Sequence, residues 1–216
     1  PAMTISAEEN SVLRALEVAQ ILLLEDNVDA VVVTAVDLAG SPEQVLLRQR
    51  KLPFNSGPAT LSFDKNTNGW LIGEGAGTVI LKSIESAKKD DEQIFATVDS
   101  IAFSSGLTPE SVENAANQAL TEANVSAGEI GMLEVFGSGS IVEDSAEMRG
   151  LAQAYAKVDA GCALGSIKSN VGHTFAASGM ASLIKAALCL HHRFIPGVPE
   201  WKSPKTELQS AKQFYV

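Results

Sequence analysis

The chain has 216 residues, 45% of them hydrophobic and 19% charged, with a net charge of −10 and a pI near 4.8. That composition is ordinary for a globular protein long enough to bury a sizeable core. The basic residues are scattered, and Lys88-Lys89 runs straight into Asp90-Asp91-Glu92, which argues against a nucleic-acid surface or strong docking onto anionic membranes. No segment approaches the ~18 uninterrupted apolar residues of a membrane span; no charged and then apolar leader opens the chain, but an N-terminus that reads as cut makes that absence uninformative. Two cysteines, Cys162 in a strand-like run and Cys189 in a helix-like run, are expected to be free thiols in a reducing compartment, so a cytoplasmic location is expected. Pro1 opens the chain and Phe214-Tyr215-Val216 reads as the start of a strand, so both ends read as cut and the chain is expected to be a piece of something longer.

In chain order, residues 8–24 carry Val12, Ala15, Leu16, Ala19, Ile21 and Leu22 at helical spacing, and Glu8 and Glu9 are expected in the positive first turn. Asp29 to Ala35 is a β-branched apolar run, expected to be a strand covered on both faces. Residues 40–60 are expected to be irregular, because Pro42, Pro53, Gly57 and Pro58 interrupt any period. Gly69 to Lys82 reads as a glycine-rich turn feeding a strand, followed by a helix over 83–90. Ile94 to Ala102 alternates as a strand would. Thr108-Pro109-Glu110 marks a helix start, with Thr as N-cap and Pro at the first helical position. Strands at 132–136 and 163–167 precede helices at 141–157 and 175–192. Alternation of this kind implies an α/β layered fold with an internal boundary near residue 93.

Three motifs bear on chemistry. Gly73-x-Gly75-x-Gly77 is followed rather than preceded by a strand, the wrong context for a dinucleotide fingerprint; close backbone packing is the expected use of these glycines. Gly137-Ser-Gly-Ser140 lies between a strand and a helix and reads either as a plain turn or as an anion cradle. In Lys168-Ser-Asn-Val-Gly-His173 a lysine closes a strand, and a histidine near a helix N-terminus would have its pKa pushed down by the helix dipole.

Taken together these segments resemble the β-ketoacyl synthases. Ser166-Ile-Lys-Ser-Asn-Val-Gly-His173 is similar to the family's lysine–histidine motif. Phe63-Asp64, Gly69 and Gly73-Glu-Gly-Ala-Gly77 resemble the segment after its central helix. Glu134-Val-Phe-Gly-Ser-Gly-Ser140, with Asp144 and Glu147 after it, resembles its histidine loop, and Pro1 to Leu13 lines up with the strand and elbow that carry its cysteine. The resemblance implies a thiolase-like α-β-α-β-α layered fold truncated at both ends, with residues 1–93 from the N-terminal half and 94–216 from the C-terminal half. It also implies no resident cofactor and no metal; acyl and malonyl groups would arrive on the phosphopantetheine of an acyl carrier protein.

Two departures decide what the resemblance implies for activity. In the family register the nucleophilic cysteine falls on Glu9 and the first histidine on Phe136, while His173 and Lys168 are retained. A carboxylate cannot hold the acyl chain as a thioester, and a phenyl ring cannot donate a hydrogen bond to a developing enolate. The implied role is that of a chain-length factor, a non-condensing partner that pairs with an active ketosynthase in iterative fatty-acid or polyketide synthesis, with a polyunsaturated fatty-acid synthase the favoured setting. Two alternatives stay open: residual malonyl-carrier decarboxylation or ketosynthase (acyltransferase) activity through His173 and Lys168, and a purely structural dimer partner. Glu9 itself either accepts the N–H groups at the helix mouth and pairs with Lys168, or does nothing.

Overall fold

The computed structural model describes residues 2–25, 28–38, 41–159, 161–206 and 211–216. They form two compact units, each discontinuous in sequence: one drawn from residues 1–39, 74–98 and 174–194, the other from 40–73, 99–173 and 195–216.

In the first unit, α1 (Ser11–Leu24) buries Val12, Leu16 and Ala19, the stripe its three-to-four spacing dictates. The two acids expected in its first turn stand outside it. Glu8 has a left-handed φ of 51°, Asn10 N–H turns back to the Ala7 carbonyl at 3.0 Å, and Ser11 Oγ accepts the Ala7 N–H at 3.0 Å. The chain thus makes a tight elbow and the helix opens only at Ser11. The stretch before this elbow, matched to a family strand, forms none over residues 2–6, and Pro1 lies outside the described residues.

Strands β1 (Val31–Asp37) and β2 (Gly75–Leu81) pair antiparallel, Val31 opposite Leu81 and Asp37 opposite Gly75. One face is turned inward around Val33. The other leaves Val32, Val36 and Ile80 more than half exposed, so β1 is covered on one face within this unit rather than on both. Gly77 lets α7 (Ser178–His192) approach: a Cβ there would lie 2.7 Å from Met180 Cγ. This is the close packing expected of the glycine run. A short helix, α3 (Ile84–Lys89), follows β2.

The second unit holds a parallel three-stranded sheet ordered β3 (Met132–Glu134), β4 (Cys162–Gly165), β5 (Phe214–Tyr215). Its core gathers Leu61, Phe63, Val135, Met148, Leu151, Tyr155, Cys162 and Leu164. Helix α2 (Pro42–Gln49) occupies part of the span expected to be irregular. Ser41 caps it and Pro42 sits in its first turn, where a missing N–H costs nothing, so the proline that reads as a breaker in fact starts a helix. Residues 94–102, expected to be a strand, carry no regular secondary structure and no ladder partner among the described residues, and Ile94, Phe95 and Val98 are exposed. Alternation in the sequence is not matched there by a strand, and residues 94–99 are exposed throughout.

Helices α4 (Pro109–Ala123) and α5 (Ile141–Ala154) pack side by side. Thr108 caps α4 with a reciprocal Thr108–Ser111 capping box. Their close approach rests on Gly150, where a Cβ would lie 2.4 Å from the Pro109 carbonyl oxygen and 2.6 Å from Val112 Cβ. The carbonyl cannot swing aside, so the helices must separate. Gly150→Ala is therefore expected to lower stability by about 1–3 kcal/mol, read as a lower urea midpoint; an unchanged midpoint refutes the packing argument.

Candidate functional site

The second unit brings together most of the residues singled out from the sequence. β3 hands the chain to a loop, residues 135–140, that is fixed at every turn. Val135 N–H donates to the Gly165 carbonyl at 2.8 Å, and the Glu134 carboxylate accepts the Ile167 N–H at 2.5 Å, tying β3 to the end of β4. Helix α5 then reaches back with two carboxylates. Glu147 accepts the N–H groups of Phe136 at 2.6 Å and Gly137 at 2.9 Å, and Asp144 accepts that of Gly139 at 3.2 Å. Ser138 Oγ takes the Ser140 N–H, and Ser140 Oγ takes the Glu143 N–H as the α5 N-cap. The N–H groups of residues 135, 136, 137, 139 and 140 are spent on the protein's own oxygens, which favours the turn reading over the cradle. Gly139 is required on two counts: its φ is +91°, and a Cβ would lie 2.3 Å from the Gly69 carbonyl oxygen.

This clamp presents the Phe136 ring to Lys168 and His173. The rings of Phe136 and His173 meet edge to face, with centroids 5.5 Å apart and planes at 87°. The Lys168 ammonium stands over the Phe136 ring, 4.5 Å from its centroid, within cation–π range. Lys168 opens the short helix α6 (Lys168–Val171), and both it and His173 are buried. Asn170, which shares their motif, is exposed.

His173 N–H bonds the Leu71 carbonyl at 2.8 Å. Burial, reinforced by the positive charges of Lys168 and Arg48, pushes its imidazole down to about 3. The direction matches the sequence expectation but the cause differs. Helix α7 begins only at Ser178, five residues later, and it is desolvation rather than a helix dipole that keeps the ring neutral. Cys162, with its thiol pushed up to about 11 by burial, is a core residue and no nucleophile.

A cavity of about 10 Å³ adjoins this cluster, lined among others by Ser62, Gly137, Ser166, Lys168 and His173. It has room for roughly one water molecule. Glu9 belongs to the first unit; it is half-buried in the elbow that precedes α1. Sequence reasoning missed the place of Ser62 in the cavity wall and gave Ser166 no role beyond opening the lysine–histidine motif; only the fold brings the two segments to one cavity.

Two buried groups of opposite sense set the pH response of this site. Burial pushes the Glu147 carboxylate from 4.5 up to about 7, against the pull of its two N–H donors; Asp144 is raised too, chiefly by burial. A raised carboxylate favours the folded state below 4.5, and that advantage is lost as pH rises through about 7, a change of about 3 kcal/mol. His173, depressed from 6.5 to about 3, favours folding above 6.5 and loses that advantage as pH falls toward 3. The two slopes oppose each other between about 4.5 and 6.5. Glu147→Gln is expected to shrink the decline toward pH 7 to the share left by Asp144 and to leave the rise governed by His173, measured as urea midpoints at stepped pH; a variant profile parallel to the parent's contradicts the assignment.

Residues 1–87 match the family described as "Beta-ketoacyl synthase, N-terminal domain" and residues 95–201 the "Beta-ketoacyl synthase, C-terminal domain". The chain is 35% identical over 212 residues to a component polypeptide of the polyunsaturated fatty acid synthase of Thraustochytrium sp., covering 91% of this chain but only 10% of that protein. Among solved structures, an oxazolomycin ketosynthase domain of Streptomyces albus superposes with a TM-score of 0.88 at 25% identity, covering all of this chain and 40% of that one. The structure described as "PfaC Keto synthase-Chain length factor" gives 0.73 at 38% identity over 87% of this chain and 19% of that one. Both neighbours carry the thiolase-like ketosynthase fold. With the two family halves matched in order over most of its length, the chain belongs to the β-ketoacyl synthase family.

Proposed function

We propose that this is a non-condensing, chain-length-factor-type domain that pairs with an active ketosynthase and limits acyl growth on an acyl carrier protein, in the cytoplasm. The observation that carries the reading is the Phe136 ring, clamped by its own backbone to Glu147 and packed against both His173 and Lys168. Condensation in this family calls for a thiolate and a pair of hydrogen-bond donors. Here a carboxylate stands at the elbow and a hydrocarbon ring takes one donor's place. Losing one such donor costs about 3–4 kcal/mol of transition-state stabilisation, or 10²–10³ in rate. The likeness to a ketosynthase–chain length factor structure supports the same reading.

The retained His173 gives a second reading some footing. A buried neutral imidazole can still donate one hydrogen bond to a developing enolate, so decarboxylation of malonyl carrier protein is the activity that could persist.

The experiment uses the full polypeptide with the partner ketosynthase's own cysteine blocked. Mass spectrometry after exposure to acyl carrier protein is expected to find no acyl group on this domain, and malonyl carrier protein is expected to release no carbon dioxide above background. Release that His173→Ala abolishes would overturn the inert reading in favour of the decarboxylase. Restoring both missing groups, with Glu9→Cys and Phe136→His together, is expected to raise decarboxylation and condensation at least 10²-fold over Glu9→Cys alone. Exchanging the domain for a relative's is expected to change product length; an unchanged profile would leave only a scaffold.

A further inference from the structure

The Phe63-Asp64 pair plays no part in the cluster around Phe136, yet Asp64 is fully buried. Its two oxygens accept three N–H groups: that of Asn66 at 2.8 Å within its own turn, and those of Lys202 at 2.7 Å and Ser203 at 3.0 Å. Backbone bonds extend the seam on either side, Lys65 N–H to the Ser203 carbonyl at 3.0 Å and Lys205 N–H to the Phe63 carbonyl at 2.8 Å. The segment 201–205 is thus strapped to the turn at 62–66 by the Asp64 carboxylate and by backbone bonds. The side chain of Lys205 takes no part in that closure. It is only 20% exposed and stands 4.0 Å from Asp144 Oδ2, with its ammonium donating to the Ser62 carbonyl at 2.5 Å.

We propose that Lys205 is a positioning residue for the loop that carries Phe136: from the strap it fixes the Asp144 carboxylate, and Asp144 in turn holds the Gly139 N–H. The two oxygens of Asp144 face two different segments, Oδ1 the loop and Oδ2 the strap. A carboxylate whose side chain is only 4% exposed is costly unless it is paired and hydrogen-bonded. Of the two carboxylates on α5 that hold the loop, Glu147 has the Lys168 ammonium nearby, while Asp144 has Lys205 and the Ser62 hydroxyl. Each end of the loop therefore has its own acceptor, and each acceptor its own cation: Phe136 and Gly137 depend on Glu147, Gly139 on Asp144. The Ser62 carbonyl is itself fixed by the Thr67 hydroxyl at 2.5 Å, which gives the Lys205 ammonium a defined seat. Through this one side chain the segment 201–205 reaches the far end of the loop. The inference rests on the geometry of the loop and is independent of whether the domain condenses acyl groups.

Hydrogen–deuterium exchange on the full polypeptide, resolved to single amides by fragmentation, tests this with three substitutions at position 205. Lys205→Met removes the hydrogen bond to Ser62 and the charge together. Lys205→Gln keeps a donor for the Ser62 carbonyl and removes the charge alone, so it also serves if the Met variant fails to fold. Lys205→Arg keeps both. The Gly139 N–H is expected to exchange about tenfold faster in the Met and Gln variants, the size of losing one charge-assisted contact. The N–H groups of Phe136 and Gly137 are expected to stay within about twofold of the parent, because local openings are separable, and the Arg variant to restore the parent rate at Gly139. A Gly139 rate unchanged in the Gln variant would mean that Lys205 serves only the Ser62 carbonyl. Equal acceleration of all three amides would mean a general loss of stability. Either result overturns the assignment, as does an Arg variant that exchanges as fast as the Met variant.

Discussion

The arrangement of this site depends on one contact, the Glu147 carboxylate accepting the N–H groups of Phe136 and Gly137 from the flank of α5. Backbone donors in a loop leaving a buried strand must find acceptors or lose about 1–3 kcal/mol each. Glu147 supplies two lone pairs at the point where the loop turns by a left-handed glycine. The cost is a desolvated carboxylate, visible in its pKa of about 7. In return the position of residue 136 is set by backbone bonds, independently of which side chain it carries. A ring placed there has to face Lys168 and His173.

That placement determines the character of the pocket. Lys168 is buried and positive, and the face of the Phe136 ring offers it a weak counter-pole worth about 1–2 kcal/mol when desolvated. The same positive charge, together with burial and Arg48, holds His173 neutral. A neutral imidazole against a phenyl edge is a stable packing arrangement, as aromatic pairs at this separation are. Of the two rings, only the imidazole can donate a hydrogen bond.

Most helices could be read from the residues. The Thr108-Pro109 start, the Val12–Leu16–Ala19 stripe and the strand–turn–helix sequence of residues 132–154 all follow from capping and periodicity, which are local. What could not be read was set by neighbours. Pro42 reads as a breaker until Ser41 caps it. The apolar run at β1 has the composition of a doubly covered strand, yet its pairing with β2 leaves alternate residues exposed. Ile94 to Ala102 alternates without a ladder partner among the described residues. In the site, Lys168, His173 and Phe136 stand out through their motifs, and Ser166 opens the same motif as Lys168 and His173, whereas Ser62 comes from a segment about a hundred residues away and has no sequence signature. The depressed pKa of His173 follows from the motif only in direction, since burial is a tertiary property and a helix dipole a local one.

The residues that hold this loop and the residues that would act on a substrate are different sets, and that separation explains how one can change without the other. Asp144, Glu147 and Glu134 bond backbone N–H groups; removing any of them would orphan buried donors and loosen the fold. The side chain of residue 136 makes none of these loop-holding bonds; its ring packs against His173 and Lys168. Residue 9 sits in an elbow whose turn is made by backbone bonds between Ala7 and Asn10 and by the Ser11 hydroxyl, not by its own side chain. The side chains at both positions can therefore vary at small cost in stability, because neither one makes the bonds that hold its segment in place.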